Sequence, residues 1–163
     1  MLNHKLPKKV IKYGLEVFEE VSAKYNKCKL CMFGMCDNSN LPNYVEYYQN
    51  PTKQKLVDLY SDADIFLFPS LEEGWGLTPL EAMACGCIVV GTNTGFVLDI
   101  GKNEENMMIS EPGNLKQMRE NIDIILNNKD LRNNIIENAI KTVEKLNWNN
   151  SCAQLEKNFE NNM

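Results

Sequence analysis

Two short runs in this chain, Ile65-Phe66-Leu67-Phe68 and Cys87-Ile88-Val89-Val90, are apolar at every position. A strand with one face in water alternates apolar and polar residues. A run without alternation belongs to a strand covered on both faces. Pro69-Ser70 ends the first run, and a glycine-rich loop and a helix lead into the second. Strand, crossover helix and strand in that order predict parallel neighbours.

The pattern continues along the chain. Residues 8–25 carry Val10, Ile11, Leu15, Val17, Phe18 and Val21 at helical spacing, and Leu30 to Phe33 reads as a buried strand ending at Gly34. A polar loop over 35–43 leads to a strand over Val45 to Tyr48 and a helix over Thr52 to Tyr60. Met107 to Ile109 reads as a short last strand, and 114–127, 130–146 and 148–160 as three helices. Strands alternating with helices predict one α/β domain over 1–163: a doubly wound, Rossmann-like parallel sheet with helices on both faces. A chain of 163 residues buries about 70% of its unfolded surface and needs neither disulfide nor metal to fold.

A formal charge of −5 argues against a nucleic-acid partner, which requires a basic face. The only arginines are Arg119 and Arg132, so a phosphate bound by the first two-thirds must meet lysine, backbone N–H or a helix end. No apolar run reaches the roughly 18–20 residues that span a bilayer, and Met1 to Lys9 lacks the apolar core of a secretory signal. A cytoplasmic location is expected. Cys28-x-x-Cys31 lies where a strand is predicted, and residues three apart on a strand point to opposite faces. Cys85-x-Cys87 supplies no matching second pair, so reduced thiols rather than a zinc knuckle are expected.

The segment Pro69 to Gly86 carries the chemistry. Gly74 and Gly76 flank Trp75 and let backbone approach a ligand closely. Thr78 reads as an N-cap, with Pro79 at the first helical position and Glu81 three residues after the cap, and the helix stops at Gly86. A helix start offers free N–H groups to a diphosphate. Glu73 and Glu81 bracket the loop, and carboxylates accept paired hydrogen bonds from vicinal hydroxyls. A diphosphate between two polyols is a nucleotide-sugar. The plainer readings are that Glu81 completes a capping box, Glu73 is a solvated loop acid, Trp75 wedges against the sheet edge and His4 is a surface residue.

Pro-Ser-x-x-Glu-Gly-Trp-Gly-Leu-x-Pro-Leu-Glu-Ala-Met-Ala-Cys-Gly, with Leu59 to Ser70 before it and Ile88-Val-Val-Gly-Thr92 after, resembles the donor-site signature of family 4 (group 1) retaining glycosyltransferases of the GT-B fold. The resemblance covers roughly residues 9–160, the nucleotide-sugar-binding C-terminal half. It implies that Glu73 meets the donor sugar near its anomeric centre and Glu81 the ribose hydroxyls. Gly74, Trp75, Gly76, Leu77 and Thr78 would hold sugar and diphosphate. It implies a UDP-, GDP- or ADP-sugar as co-substrate, no metal or other cofactor, and transfer with retention. A saccharide or lipid-linked acceptor would sit on an N-terminal half, in cell-envelope polysaccharide synthesis, with the full-length form peripheral at the inner membrane.

The family's diphosphate-clamping lysine aligns with Lys9, and His4 stands where its arginine is expected. The opening strand is reduced to Met1-Leu2, and the glycine pair and acid after the next strand appear as Gly95-Phe96 and Asp99. Related enzymes end in a helix that crosses to the N-terminal half. Here it would span 148–160, with Trp148, Cys152, Leu155 and Phe159 on one stripe. In isolation that helix packs on its own domain, frays or meets a second copy, and weak self-association is expected. Other classes compatible with the sequence are a non-catalytic nucleotide-sugar-binding module and a GT-B UDP-sugar epimerase.

Overall fold

The structure, a computed structural model, describes residues 1–3 and 11–161. The elements run β1 (Leu2–Asn3), α1 (Ile11–Lys24), β2 (Leu30–Gly34), β3 (Val45–Gln49), α2 (Lys53–Ser61), β4 (Ile65–Phe68), α3 (Leu77–Ala84), β5 (Ile88–Thr92), α4 (Val97–Ile100), β6 (Met108–Ser110), α5 (Leu115–Asn127), α6 (Lys129–Val143) and α7 (Trp148–Glu160). Every strand pairing among the described residues is parallel.

The strands form two three-stranded sheets, β1-β2-β3 and β4-β5-β6, where the sequence predicts one. Among the described residues β1 pairs with β2 alone, its two residues set against Phe33 and Gly34. Met1 and Leu2 line one cleft with Phe66 to Ser70, so the edges of the two sheets meet there. The sheets share their layers. Met32 of β2, Leu67 of β4, and Ile88 and Val90 of β5 enter a core with α1 and α5. Phe33, Phe66, Phe68 and Val89 enter a second core with Tyr60 of α2 and with Leu80 and Met83 of α3. Alternate side chains of each strand therefore serve opposite cores, and both faces are covered, as the unbroken apolar runs require. The Ile135 position of α6 joins the first core and its Ala139 the second, so this helix spans the two.

Helix starts follow their side chains at four places, the start of α7 among them, where Asn147 accepts from the Asn150 N–H. Thr52 accepts from the Lys55 N–H at 3.2 Å, Asn114 from Gln117 and Asn128 from Leu131. Helix α3 departs from expectation. It begins at Leu77, its N-cap is Gly76, and no side chain caps it. Thr78 and Pro79 are its second and third residues and Glu81 lies beyond the first turn, so there is no capping box. Gly86 ends it as expected, its N–H bonded to the Met83 carbonyl and that of Cys87 to the Ala82 carbonyl. Its buried residues are Pro79, Leu80, Ala82 and Met83, and Ala84 is exposed.

No residue of α7 is buried. Trp148 keeps 85% of its surface exposed, and Leu155 and Phe159 more than half of theirs. The stripe thus forms on a helix but does not pack on the domain's own core. No described helix is long and apolar enough to cross a membrane.

Candidate functional site

The cleft where the sheets meet lies beside β1 and at the carboxyl end of β4, lined by Met1, Leu2, Phe66 to Ser70, Glu73 and Thr78. In open parallel sheets, ligands bind outside such strand ends at the point where connectivity reverses. Here the reversal falls between β1, whose neighbour is β2, and β4, whose neighbour is β5.

The loop from β4 to α3 forms one wall, and buried hydroxyls hold it. The Ser70 hydroxyl donates to Glu73 Oε1 at 3.0 Å. Behind it, the Thr92 hydroxyl at the end of β5 donates to the Ser70 carbonyl at 2.5 Å and lies 3.3 Å from the Thr94 hydroxyl. Ser70, Thr92 and Thr94 are all buried. From the other side, the Phe96 N–H donates to the Trp75 carbonyl at 2.8 Å. Gly95 presses on the same segment: with φ +59°, its position for a Cβ lies 2.5 Å from the Trp75 carbonyl oxygen and 2.8 Å from Glu73 Cβ. In the sequence Ser70 and Thr92 stand only as positions of the family pattern, with no role of their own. A hydroxyl residue at the end of each of two neighbouring apolar strands was the signal available for them.

The glycine pair divides its work. Gly76 has φ +93°, in the left-handed region, and its position for a Cβ is 3.1 Å from the Phe68 ring, so the turn itself requires glycine. Nothing lies within 4 Å of the Cβ position of Gly74. Trp75 is 39% exposed rather than wedged against the sheet edge. Leu77 is exposed and Thr78 half-buried. With no side-chain cap, the amides of Gly76, Leu77 and Thr78 head an uncapped positive helix end, while Pro79 contributes none.

Glu81 is exposed one turn into α3 and accepts a hydrogen bond from the Tyr60 hydroxyl, 3.0 Å from its Oε2. Tyr60 is 3% exposed, and burial together with the nearby Glu81 charge pushes its hydroxyl far above the ordinary tyrosine range. The cleft brings Glu73 and Thr78 together, and Gly95 joins them through the loop backbone. His4 and Lys9 lie outside the described residues.

All six cysteines are free thiols. Cys28 is exposed and its thiol meets the Tyr25 carbonyl at 3.3 Å, whereas Cys31 lies 3.6 Å from Glu46. Burial pushes the Cys87 thiol up to about 12. Among the described residues no cluster of three or more His, Cys, Asp or Glu side chains is placed to hold a metal ion.

Comparison with known proteins gives the site a family. The model of the family described as glycosyl transferases group 1 matches residues 1–142. An uncharacterized glycosyltransferase of Methanocaldococcus jannaschii is 31% identical over 160 residues, covering 90% of this chain and 40% of that protein. The capsular polysaccharide biosynthesis glycosyltransferase CapM of Staphylococcus aureus is 29% identical over 139 residues, covering 80% of this chain and 37% of its own. The crystal structure of TarM superposes with a TM-score of 0.80 at 24% identity, over 98% of this chain and 34% of TarM. A complex of S. aureus TarM with fondaparinux, alpha-GlcNAc-glycerol and UDP superposes at 0.73 and 23% identity, over 87% and 31%. At such identity the likeness to TarM carries the fold alone. The chain spans about 40% of the length of the two curated relatives.

Proposed function

The chain belongs to the glycosyl transferases of group 1, and on that premise we propose that it is the donor half of a retaining glycosyltransferase, binding a nucleotide-diphosphate sugar along the β4–α3 loop. The observation that carries the reading is the convergence, on one cleft at the carboxyl end of β4, of Glu73, Thr78 and an uncapped helix start. The amides of Leu77 and Thr78 suit the diphosphate, Glu81 the ribose diol and Glu73 the sugar. Gly74 supports this: no feature of the fold requires glycine there, whereas a ligand lying against the backbone would. That a TarM complex contains UDP supports a nucleotide ligand at this fold without selecting UDP over GDP or ADP here.

In the proposed reaction, the bond from the anomeric carbon to the diphosphate oxygen breaks as the acceptor oxygen bonds on the same face. The acceptor's proton passes to the departing diphosphate oxygen. The protein positions the partners and stabilises developing charge without becoming a covalent nucleophile, and no metal or cofactor enters the scheme. The acceptor, a saccharide or lipid-linked hydroxyl, sits on a second half of the cleft supplied by a longer chain. The exposed stripe of α7 is the surface that would reach that half, or a second copy when the half is absent.

Calorimetric titration with UDP, GDP, ADP and their sugar conjugates tests the reading. One nucleotide series is expected to bind, and Glu81→Ala to weaken it by about 1.5–3 kcal/mol, the loss of a hydrogen bond to a charged group. Glu81 caps nothing, but it is the observed partner of the buried Tyr60 hydroxyl, so this variant is also expected to lose about 1–3 kcal/mol of stability, the cost of leaving a buried donor unpaired. Unchanged heats for all three series in the variant would remove Glu81 from the site. The 163-residue chain alone is expected to bind donor yet transfer sugar below about 1 per second, the lower end of ordinary turnover. Sustained transfer above that rate with any acceptor would show that one half of the cleft suffices.

A further inference from the structure

We infer that Tyr60 is a positioning residue for Glu81, fixing that carboxylate for the ribose diol before the nucleotide arrives. The inference rests on the proposed role of Glu81 and adds a residue of α2 to the site. Tyr60 stands near the end of α2, and its ring meets Phe33 edge-on at 5.6 Å and 90° and Phe66 at 5.7 Å and 65°. Those contacts, with 3% exposure, lock both torsions of the side chain. The hydroxyl therefore has a fixed place in the fold, and at that place it donates to Glu81 Oε2 at 3.0 Å.

The geometry has a direction. Tyr60 is the buried, rigid partner and Glu81 the exposed, flexible one. A free glutamate on a helix surface samples many rotamers, and a ligand that needs one of them must order it on binding. An anchor at Oε2 removes most of that ordering in advance. Burial and the adjacent carboxylate keep the phenol protonated, so it remains a donor across the physiological range. The core would be satisfied by phenylalanine at position 60, since Phe33 and Phe66 meet the ring rather than the hydroxyl. The hydroxyl's observed partner is Glu81.

The test uses the 163-residue chain and compares binding of each ribonucleoside diphosphate, UDP, GDP and ADP, with its 2′-deoxy and 3′-deoxy forms. Wild type is expected to prefer a ribonucleotide. Glu81→Gln is expected to lose most of that preference, and Tyr60→Phe to keep its fold while losing about three- to tenfold of it. Adding Tyr60→Phe to Glu81→Gln should cost no further preference, because the two residues act through one contact. Glu81→Asp keeps the charge but withdraws it from the tyrosine by one methylene, and is expected to lose the preference as Tyr60→Phe does. That variant carries the test should Tyr60→Phe fail to fold. Full preference in Tyr60→Phe, or in Glu81→Asp, alongside its loss in Glu81→Gln would overturn the positioning role and leave the ribose reading intact. Full preference in Glu81→Gln, or no binding by any nucleotide, would overturn the ribose reading and the positioning role with it.

Discussion

Replacing Glu73 by Gln in a chain that carries both halves of the cleft is expected to lower kcat about a hundredfold or more, with donor affinity within about threefold of wild type. Glutamine preserves the shape of the side chain and can still accept from the Ser70 hydroxyl, so the loop should keep its conformation. What disappears is a negative charge facing a carbon that becomes cationic as the diphosphate departs. A charge matched to the transition state counts little in the ground state, which is why turnover and affinity should separate. Steady-state turnover paired with donor titration makes the comparison. Wild-type turnover in Glu73→Gln would reduce this residue to a solvated loop acid. Equal losses in affinity and turnover would make it a substrate ligand without a share in the chemical step. Ser70→Ala, which withdraws the donor at 3.0 Å while leaving the charge, is expected to fall between wild type and Glu73→Gln in kcat.

The parts of the fold that were legible are those set by burial on both sides. β4 and β5 appear where unbroken apolar runs stand, because water-free faces leave no polar position to confuse the reading. Helix α7 likewise starts at Trp148 and carries its stripe as spaced. Thr78-Pro-Leu-Glu81 was misleading because it has the form of a capping box, yet the helix already runs from Leu77. The left-handed turn at Gly76, packed on the Phe68 ring, sets the entry angle, and tertiary contact overrides the local signal. Helix α4 was not visible: Val97 to Ile100 is a single turn, too short for a period to show. The single sheet appeared as two because a strand of two residues cannot extend a ladder on both edges. At the site, Glu73 and Glu81 could be chosen from residue type and spacing. The residues that hold them could not. Tyr60 is 21 positions from Glu81, and Thr92 is 22 from Ser70. Only the closing of α2 on α3 and of β5 on β4 joins them.

Gly95 provides the largest expected effect on stability. A Cβ there would stand 2.5 Å from the Trp75 carbonyl oxygen and 2.8 Å from Glu73 Cβ, and neither is the free end of a flexible side chain. The backbone must move, and the hydrogen bond from the Phe96 N–H to the same carbonyl is strained with it. The left-handed φ adds about 1–2 kcal/mol for any residue with a Cβ, and overpacking adds a further 1–3 kcal/mol or so. Gly95→Ala is therefore expected to destabilise the domain by about 2–5 kcal/mol in urea unfolding. The folded fraction should also bind donor more weakly, because the segment displaced is Glu73 to Trp75. Gly74→Ala is the counterpart: its Cβ meets nothing within 4 Å, so stability should stay within about 0.5 kcal/mol of wild type while donor affinity falls. The two glycines then separate what the loop needs in order to fold from what it needs in order to receive a ligand. Wild-type stability in Gly95→Ala would mean that the loop yields at no cost and is not held in place for its task. Wild-type donor affinity in Gly74→Ala would mean that the nucleotide-sugar does not lie against this backbone.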